Sequence, residues 1–353
     1  MIRQTKTIYN YFYLFFTNFT PLNLNIPFMK NLRIVYMGTP EFAVSILGSL
    51  LMNGFNIVGV VTSPDKPAGR GRKITKSAVK QFAEFSYLPI MQPDNLKDPQ
   101  FLNELRNLNA DIFLVVAFRI LPEVVWEMPS IGTLNLHPSL LPHYRGAAPI
   151  NHVLINGESK TGVTTFFIDD NIDTGNILFR EETQIYPFEN YGDLHGRLMN
   201  LGTRLILKTL AAIAEKDIQP IPQSQFLKEG EVLKTAPKIY LKDCIINWEK
   251  GHIDIHNLIR GLSPYPCARS VFVKDSAFIL FKIYESHPEH EEHSLNPGEI
   301  ISDGKHFLKI ACKGGFLNIL SLQPEGKKRM STVEFLRGFN IAEYKIGINR
   351  PVS

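Results

Sequence analysis

The sequence predicts two domains: an α/β domain built on a doubly wound, mostly parallel sheet, and a small second domain whose antiparallel strands form a β-barrel. From Leu32 onward, short apolar runs rich in β-branched residues alternate with helix-length segments. Beyond about residue 235 the apolar runs become short and closely spaced, and turn residues divide them. Alternating strands and helices are typical of a Rossmann-like sheet, whereas closely spaced strands are typical of an OB-like barrel.

Five short apolar runs predict the strands of the first domain: Arg33–Met37, Asn56–Thr62, Asp111–Ala117, Gly132–His137 and Gly162–Ile168. Pro40 and Glu41 are favourable residues for the first turn of a helix, which predicts a helix from there to about Gly54. A periodic segment from about Gly192 to Ala214 predicts the helix that closes this domain.

A segment typical of a linker precedes the second domain. Residues 218–235 contain Pro220, Pro222 and several glutamines, with weak periodicity. The predicted boundaries are therefore 29–217 for the first domain, 218–235 for the linker and 236–353 for the second domain. The strands predicted in the second domain are Ala268–Val273, Ala277–Ile283, Gly298–Ser302, Phe307–Ala311 and Phe316–Leu322.

The first 28 residues differ in composition from the rest of the chain. Ile8–Phe19 is rich in Tyr, Phe and Leu, but polar residues interrupt it, and it is too short and too polar to span a bilayer. A secretory signal is the alternative, although no clear small-residue cleavage site follows. We interpret residues 1–28 as a disordered extension or an over-long start assignment, because a strand begins directly after Met29.

Composition places the chain among folded globular proteins. Of its 353 residues, 44% are hydrophobic and 20% charged, which excludes a disordered chain. The formal net charge of +4 permits an acidic partner such as nucleic acid without requiring one. Three widely spaced cysteines favour a reducing compartment over a disulfide framework. We therefore expect a cytoplasmic protein with no membrane association. We also expect a monomer.

The densest group of chemically useful residues lies in Leu134–Ile150. Asn135 and His137 stand two residues apart at the end of a predicted strand, so both side chains project from one face of the sheet. Ligands of open α/β sheets bind at the carboxyl ends of the strands. An amide donor beside an imidazole there can stabilise an oxyanion and move a proton. A lone histidine would favour a purely structural role, but the neighbouring amide and a later carboxylate favour catalysis.

That carboxylate is Asp173, in a turn-rich run that follows the strand Gly162–Ile168. The Thr-Gly after it predicts a tight turn that holds the Asp173 side chain inward, where it would orient an imidazole and stabilise its protonated form. Asp169 and Asp170 could belong to a cation site, but a solvated loop is the better interpretation. His287, His290 and His293 are interpreted in the same way, as a solvated loop rather than a metal site, so no metal site is predicted.

A basic segment that contains two glycines follows the second strand. Residues 66–76 contain five cations, among them Arg70, Arg72 and Lys73, together with Gly69 and Gly71. Such a segment can fit against phosphates with little backbone strain. Composition alone leaves a phosphate-binding loop and a solvated flexible loop equally open.

Residue for residue, several segments resemble the folate-dependent formyltransferases, most closely those that act on aminoacylated initiator tRNA. The matching segments are Met37–Phe42, Pro64–Lys73, Asn135–Pro149, Ile172–Gly175 and Leu320–Lys328. The Asn-x-His and Asp-Thr-Gly elements are shared by several folate formyltransferases. The Lys-Pro-Ala-Gly-Arg-Gly and Leu-Gln-Pro-x-Gly-Lys segments are specific to the tRNA branch, and the resemblance covers about Leu32 to Met330.

The resemblance implies an activity and a site. The implied reaction moves the formyl group of 10-formyltetrahydrofolate, a co-substrate, to the α-amino group of methionine on initiator tRNA, with no metal. The residues that the resemblance implies are a catalytic trio, Asn135, His137 and Asp173; a folate-binding segment, Ser139, Leu140, Leu141 and Pro142; and a tRNA-binding group, Arg70, Arg72 and Lys73. No Gly-x-Ser-x-Gly motif surrounds Ser139, so direct transfer is favoured over a covalent enzyme intermediate.

The sequence departs from the family pattern in one segment near the folate site. Ala117–Pro122 is one residue shorter than usual and lacks a glycine, so the loop's shape and any contact of Arg119 with folate stay open. Pro138 also replaces the small residue that often follows the histidine.

Three alternative functions fit the sequence less well. A formyltransferase acting on a sugar nucleotide or purine precursor would not need the basic loop or the second domain. A nucleotide-dependent oxidoreductase would need a Gly-x-Gly-x-x-Gly motif, which is missing after the first strand. A non-enzymatic RNA-binding module would leave the set of Asn135, His137 and Asp173 unexplained.

Overall fold

The computed structural model describes residues 31–68, 73–275 and 277–347. In these residues the chain forms two compact units. Unit 1 contains the chain up to Pro142 together with Gly162–Glu181 and Leu198–Glu231, and unit 2 contains His143–Thr161, Glu182–Arg197 and the chain from Val232. The extension predicted for residues 1–28 lies outside the described residues, and the boundaries at 217 and 235 stay a sequence-based proposal.

The first nine strands of the described chain are β1 (Arg33–Gly38), β2 (Asn56–Val61), β3 (Lys66–Ala68), β4 (Lys73–Thr75), β5 (Ile90–Met91), β6 (Ile112–Val116), β7 (Gly132–His137), β8 (Lys160–Phe167) and β9 (Ile177–Gln184). Seven of them form one sheet in the order β5-β2-β1-β6-β7-β8-β9, and β3 pairs with β4 in a separate hairpin. The apolar runs form strands here because almost all of their side chains are buried.

The large sheet is mostly parallel, as predicted. The pairs β5–β2, β2–β1, β1–β6 and β6–β7 are parallel, and β8 runs antiparallel to β7. From β1 the strands β2 and β5 are added on one side, and the chain then returns to add β6, β7, β8 and β9 on the other side. Such a reversal of strand order opens a crevice at the carboxyl ends of the strands, where ligands of α/β sheets bind.

The described helices are α1 (Glu41–Met52), α2 (Ala78–Phe85), α3 (Pro99–Asn107), α4 (Glu123–Trp126), α5 (Pro149–Ile155), α6 (Tyr191–Ala214), α7 (His252–Leu262) and α8 (Thr332–Leu336). One face of the sheet packs on α3, where Val115 of β6 joins Phe101 and Leu105 in a buried cluster. The opposite face packs on α6, since Leu136 of β7 fills the space beside Gly202. None of the described helices has both the length and the apolar composition needed to cross a membrane.

Unit 2 is built on an antiparallel sheet, which confirms the predicted second domain of antiparallel, barrel-like strands. Its strands are β10 (Ala268–Lys274), β11 (Ala277–His290), β12 (Ile300–Ser302), β13 (Leu308–Cys312), β14 (Gly315–Pro324), β15 (Met330–Ser331) and β16 (Lys345–Ile346). Six follow the order β12-β13-β14-β11-β10-β16, and β15 pairs with β14. The helix α7 packs against this sheet with Ile255 and Ile259.

The strand β11 is longer than predicted, and this corrects the interpretation of two histidines. The predicted strand ends at Ile283, but β11 continues to His290. His287 and His290 therefore lie in a paired strand, opposite β14, rather than in a solvated loop. The pairing shifts register between Ile283 and Ser286. Such irregularities break the alternation of apolar and polar residues by which a strand is recognised in the sequence.

The core of unit 2 contains all three cysteines of the chain. Cys244 and Cys312 belong to its main apolar cluster, and Cys267 lies buried beside β10. All three are free thiols. Burial raises the pKa of Cys267 and of Cys312 to about 12, so both thiols stay protonated at neutral pH.

Candidate active site

The candidate active site begins with two side chains on β7. Asn135 lies in register with Val115 of β6, and His137 lies opposite Thr164 of β8. Both side chains point to the face that packs on α3, because Leu136 between them points to α6. His137 is 5% exposed and Asn135 is half-buried. Asn135 and His137 therefore lie on one face of the sheet, as predicted.

The carboxylate of Asp173 lies beside the imidazole of His137. Its Oδ2 is 3.7 Å from His137 Nδ1, and the two side chains are 15% and 6% exposed. This distance is longer than a direct hydrogen bond, but it places an acceptor within reach of a protonated ring. Contacts of catalytic pairs are often long without substrate and shorten when substrate binds.

A tight loop brings Asp173 to this position. Asp173 adopts a left-handed backbone conformation with φ of 56°. Gly175 passes so close to β8 that a Cβ built on it would lie 1.7 Å from the carbonyl oxygen of Phe167. Asp169 closes the loop by accepting hydrogen bonds from Thr174 Oγ1 at 2.5 Å and from the backbone N–H of Asn171 at 3.2 Å. The expected turn is present, and Asp169 is half-buried in it rather than solvated.

The segment Ser139–Pro142 lies against β8 beside His137. Thr164 Oγ1 donates to the carbonyl of Ser139 at 2.7 Å and accepts from the N–H of Leu141 at 3.2 Å. Ser139, Leu141 and Thr164 are fully buried. Gly162 leaves room for the Leu140 side chain, which a Cβ there would approach to 2.5 Å. These interactions hold the predicted folate-binding segment next to the proposed catalytic residues.

These groups together offer an amide donor, an imidazole and a carboxylate on one enclosed face. An amide N–H and a protonated imidazole can both donate to an oxygen that gains negative charge. A neighbouring carboxylate can fix the orientation of the ring. The arrangement can therefore stabilise a tetrahedral oxyanion and move a proton.

The basic segment forms a hairpin whose strands are β3 and β4. Lys66 pairs with Thr75, and the backbone of Lys73 pairs with that of Ala68. Arg70 and Arg72 lie outside the described residues. The hairpin follows β2, whose carboxyl end is at the same sheet edge as that of β7 because β2, β1, β6 and β7 are parallel.

A carboxylate anchors the base of this hairpin. Asp65 Oδ1 accepts from Gln92 at 2.9 Å, and Asp65 Oδ2 accepts from Lys80 at 2.7 Å. These two hydrogen bonds lower the pKa of Asp65 below its usual range. The negative charge at the base is therefore paired with Lys80.

The atypical segment Ala117–Pro122 is tied down by its own arginine. The Arg119 guanidinium donates to the backbone carbonyls of Pro93 and Asp94, the latter at 2.8 Å. Ala117 adopts φ of 48°, a left-handed conformation that glycine adopts more readily. Ala117, which precedes Phe118, is thus held in a strained conformation, and the two Arg119 hydrogen bonds tie the segment to backbone carbonyls.

No group of three or more His, Cys, Asp and Glu side chains in residues 31–68, 73–275 and 277–347 is arranged to hold a metal ion.

Two contact residues of this site have no signal in the sequence. Thr164 stands inside an apolar strand, where a buried threonine is unremarkable. Gln223 lies in the segment interpreted as a linker, yet its amide donates to the carbonyls of Asp173 and Gly175. Both residues act through contacts with distant parts of the chain, which local patterns do not encode.

Comparison with known proteins identifies the family of the chain. Residues 31–210 match the formyl transferase family model, and residues 238–340 match the model of the formyl transferase C-terminal domain. The chain belongs to the formyltransferase family. The resemblance inferred from the motifs is thereby confirmed.

Two curated formyltransferases share about half of their residues with this chain. The methionyl-tRNA formyltransferase of Bacteroides fragilis is 51% identical over 315 residues, which are 89% of this chain and 97% of the relative. The methionyl-tRNA formyltransferase of Flavobacterium johnsoniae is 52% identical over 315 residues, which are 89% of this chain and 98% of the relative.

The fold recurs in a solved formyltransferase. The crystal structure of the N-formyltransferase from Helicobacter canadensis, in complex with folinic acid and dTDP-3-aminofucose, aligns with a TM-score of 0.61. The alignment covers 85% of this chain and 100% of that chain at 22% identity, a likeness of fold alone.

Proposed function

We propose that this formyltransferase moves the formyl group of 10-formyltetrahydrofolate to the α-amino group of methionine on initiator tRNA, and so prepares that tRNA for translation initiation. The observation that carries the proposal is the proximity of His137, Asp173 and Asn135 beside the Ser139–Pro142 segment. The relatives with half of their residues identical support methionyl-tRNA as the acceptor. A cytoplasmic location and a monomeric state stay predictions.

In the proposed mechanism the uncharged methionine amine attacks the formyl carbon directly. The new carbon–nitrogen bond gives a tetrahedral intermediate, and Asn135 and protonated His137 stabilise its oxyanion. The bond from carbon to N10 of the folate then breaks. The amine loses one proton and N10 gains one, a transfer that His137 relays while Asp173 orients the ring.

The folate co-substrate is assigned to Ser139, Leu140, Leu141 and Pro142. The segment fits this role because it is buried, largely apolar and held by Thr164 directly beside His137. Apolar walls with a few fixed polar groups are typical of small-molecule sites.

One assay tests the proposed function. Purified protein is incubated with 10-formyltetrahydrofolate and methionine-charged initiator tRNA, and formylmethionyl-tRNA is measured after acid separation. We expect product that depends on both substrates. Formylation of an amino sugar nucleotide, with none of the tRNA, would contradict the proposal.

The tRNA-binding role is assigned to Arg70, Arg72 and Lys73 of the basic segment 66–76. Neutralising Arg70 and Lys73 together should weaken tRNA binding and flatten its salt dependence, by a log–log slope of about one for each phosphate that the variant no longer neutralises. Affinity for tRNA at two salt concentrations, and affinity for folate, are measured for wild type and the double variant. Unchanged tRNA binding at both salts, with folate binding intact, would remove the hairpin from the interface.

A further inference from the structure

The loop that carries Asp173 needs support from outside itself. Its central residue, Asp173, has a left-handed conformation, which is unfavourable for a non-glycine residue. The hydrogen bonds of Asp169 reach Thr174 and Asn171 but leave the backbone carbonyls of Asp173 and Gly175 to other partners. A strained conformation persists only where its surroundings hold it in place.

The side-chain amide of Gln223 supplies this support. Gln223 Nε2 lies 2.9 Å from the carbonyl oxygen of Asp173 and 2.9 Å from that of Gly175. A primary amide carries two N–H donors, so each carbonyl receives one of them. Gln223 is 4% exposed, which shields both hydrogen bonds from competing water.

The segment around Gln223 is itself fixed to unit 1. Ile221 and Ile177 exchange two backbone hydrogen bonds of 2.8 Å. Phe226 packs against the buried cluster of Leu141, Phe166 and Ile177. Gln223 therefore projects from a rigid support, and its amide can hold the loop in one position.

We infer that Gln223 is a positioning residue for formyl transfer, which fixes the backbone of the Asp173 loop so that the carboxylate stays aligned with His137. The inference rests on the proposed function. Gln223 donates to the carbonyl of Asp173 rather than to its carboxylate, so the effect on the reaction passes through Asp173.

Gln223→Met is the variant that tests this role. Methionine has nearly the same length and volume as glutamine but has no N–H donor, so packing is kept while both hydrogen bonds are removed. Gln225→Met is the matched control, two residues away on the same turn at an exposed position. If Gln223→Met does not fold, Gln223→Asn is measured in its place, because its shorter amide weakens the interaction without removing it.

The experiment is a double-mutant cycle with Asp173→Asn, measured as the single-turnover formylation rate at saturating substrates. We expect Gln223→Met to lower the rate 10- to 100-fold, on the order of the effect of a misplaced catalytic group. The KM values for folate and methionyl-tRNA, and the melting temperature, should stay close to those of Gln225→Met. In the Asp173→Asn background, Gln223→Met should change the rate less than about threefold, because residues that act as a unit are not additive.

A wild-type rate in Gln223→Met, or a loss that multiplies with that of Asp173→Asn, would overturn the positioning role while leaving the proposed function intact. A wild-type protein that does not formylate methionyl-tRNA would overturn the proposed function and this inference with it. Full activity in Asp173→Asn would contradict the role given to Asp173 and also this inference.

Discussion

At the scale of single residues, the site combines two side chains placed by a strand and one placed by a loop. The period of two along β7 gives Asn135 and His137 a common face, and this relation is local enough to be read from the sequence. The left-handed turn at Asp173 then brings the carboxylate to 3.7 Å from His137. This placement supports the roles proposed for the amide donor, the imidazole and the carboxylate.

His137→Ala or Asn135→Ala should lower turnover by about 10²- to 10⁴-fold, the range for losing an acid–base or oxyanion group. Affinity for tRNA should stay near the wild-type value, because neither residue is assigned to tRNA binding. Formylation kinetics and tRNA binding are measured for both variants. His306→Ala, at a histidine 76% exposed, is the control. Wild-type turnover in His137→Ala would contradict the mechanism.

Thr164→Val should destabilise the protein and weaken folate binding. Valine has the same shape but no hydroxyl, so the buried carbonyl of Ser139 and N–H of Leu141 lose their partner at about 1–3 kcal/mol of unfolding free energy. The KM for the formyl donor should rise while that for tRNA stays constant. Urea unfolding and steady-state kinetics provide the measurements. Thr164→Ser keeps the hydroxyl, and a KM as high as that of Thr164→Val would show that the hydrogen bonds are not responsible.

The residues that sequence patterns predict are those whose role depends on near neighbours in the chain. Asn135 and His137 share a strand, and the turn at Asp173 depends on the following Thr-Gly. Gln223 is different, because the chain separates it from Asp173 and Gly175 by 50 and 48 residues. No local pattern marks a glutamine in a proline-containing segment as a partner of a distant loop.

At the scale of elements, the parallel strands β1, β2, β6 and β7 are predictable because they are continuous apolar runs. Such runs belong to strands buried on both faces. The direction of β8 is a different matter, since antiparallel pairing with β7 depends on the chain path between them. The strand β9 is also missed, because charged and polar residues follow its first apolar residues and only pairing within the sheet defines it.

The segment after β6 offers a prediction about backbone strain. Ala117→Gly should raise the free energy of unfolding by up to about 1 kcal/mol. Glycine removes the strain of a left-handed alanine from the folded state, and this gain exceeds the stabilisation of the unfolded state by the greater backbone entropy of glycine. Chemical unfolding curves measure the change. Ala147→Gly, at an exposed position without a positive φ, should lower stability or leave it unchanged. A less stable Ala117→Gly protein would mean that the alanine carries no relievable strain.

At the scale of the whole molecule, the two units draw on interleaved parts of the chain. His143–Thr161 and Glu182–Arg197 belong to unit 2 although unit 1 contains the residues before and after each of them. Local composition and periodicity predict only contiguous domains, because they show where the character of the sequence changes along the chain. Interleaving arises from tertiary contacts, which leave no such change.

Unit 2 contains a histidine that makes folding sensitive to acid. Burial, followed by the charge of Arg260, lowers the pKa of His256 from 6.5 to about 4. The unfolded chain therefore binds a proton at a pH where the folded protein does not. Stability from this residue is present above about pH 6.5 and is lost as the pH falls toward 4, by up to about 3 kcal/mol.

His256→Gln should make stability less dependent on pH between 6.5 and 4, because the titrating group is gone while a polar side chain near Ser286 is kept. Melting temperatures across this range are compared with those of wild type. His306→Gln, at the exposed histidine, should keep the wild-type profile. An unchanged slope in His256→Gln would show that other groups account for the acid sensitivity.

All three thiols of the chain are buried in unit 2, so their chemical modification can report local opening of that unit. A thiol-specific reagent added to the native protein finds no cysteine in unit 1, because Cys244, Cys267 and Cys312 are the only ones in the sequence. Buried, protonated thiols react only after the surrounding core has opened. The modification rate therefore measures the opening of the unit 2 core in an unaltered protein, and its dependence on added methionyl-tRNA would measure how far a ligand suppresses that opening.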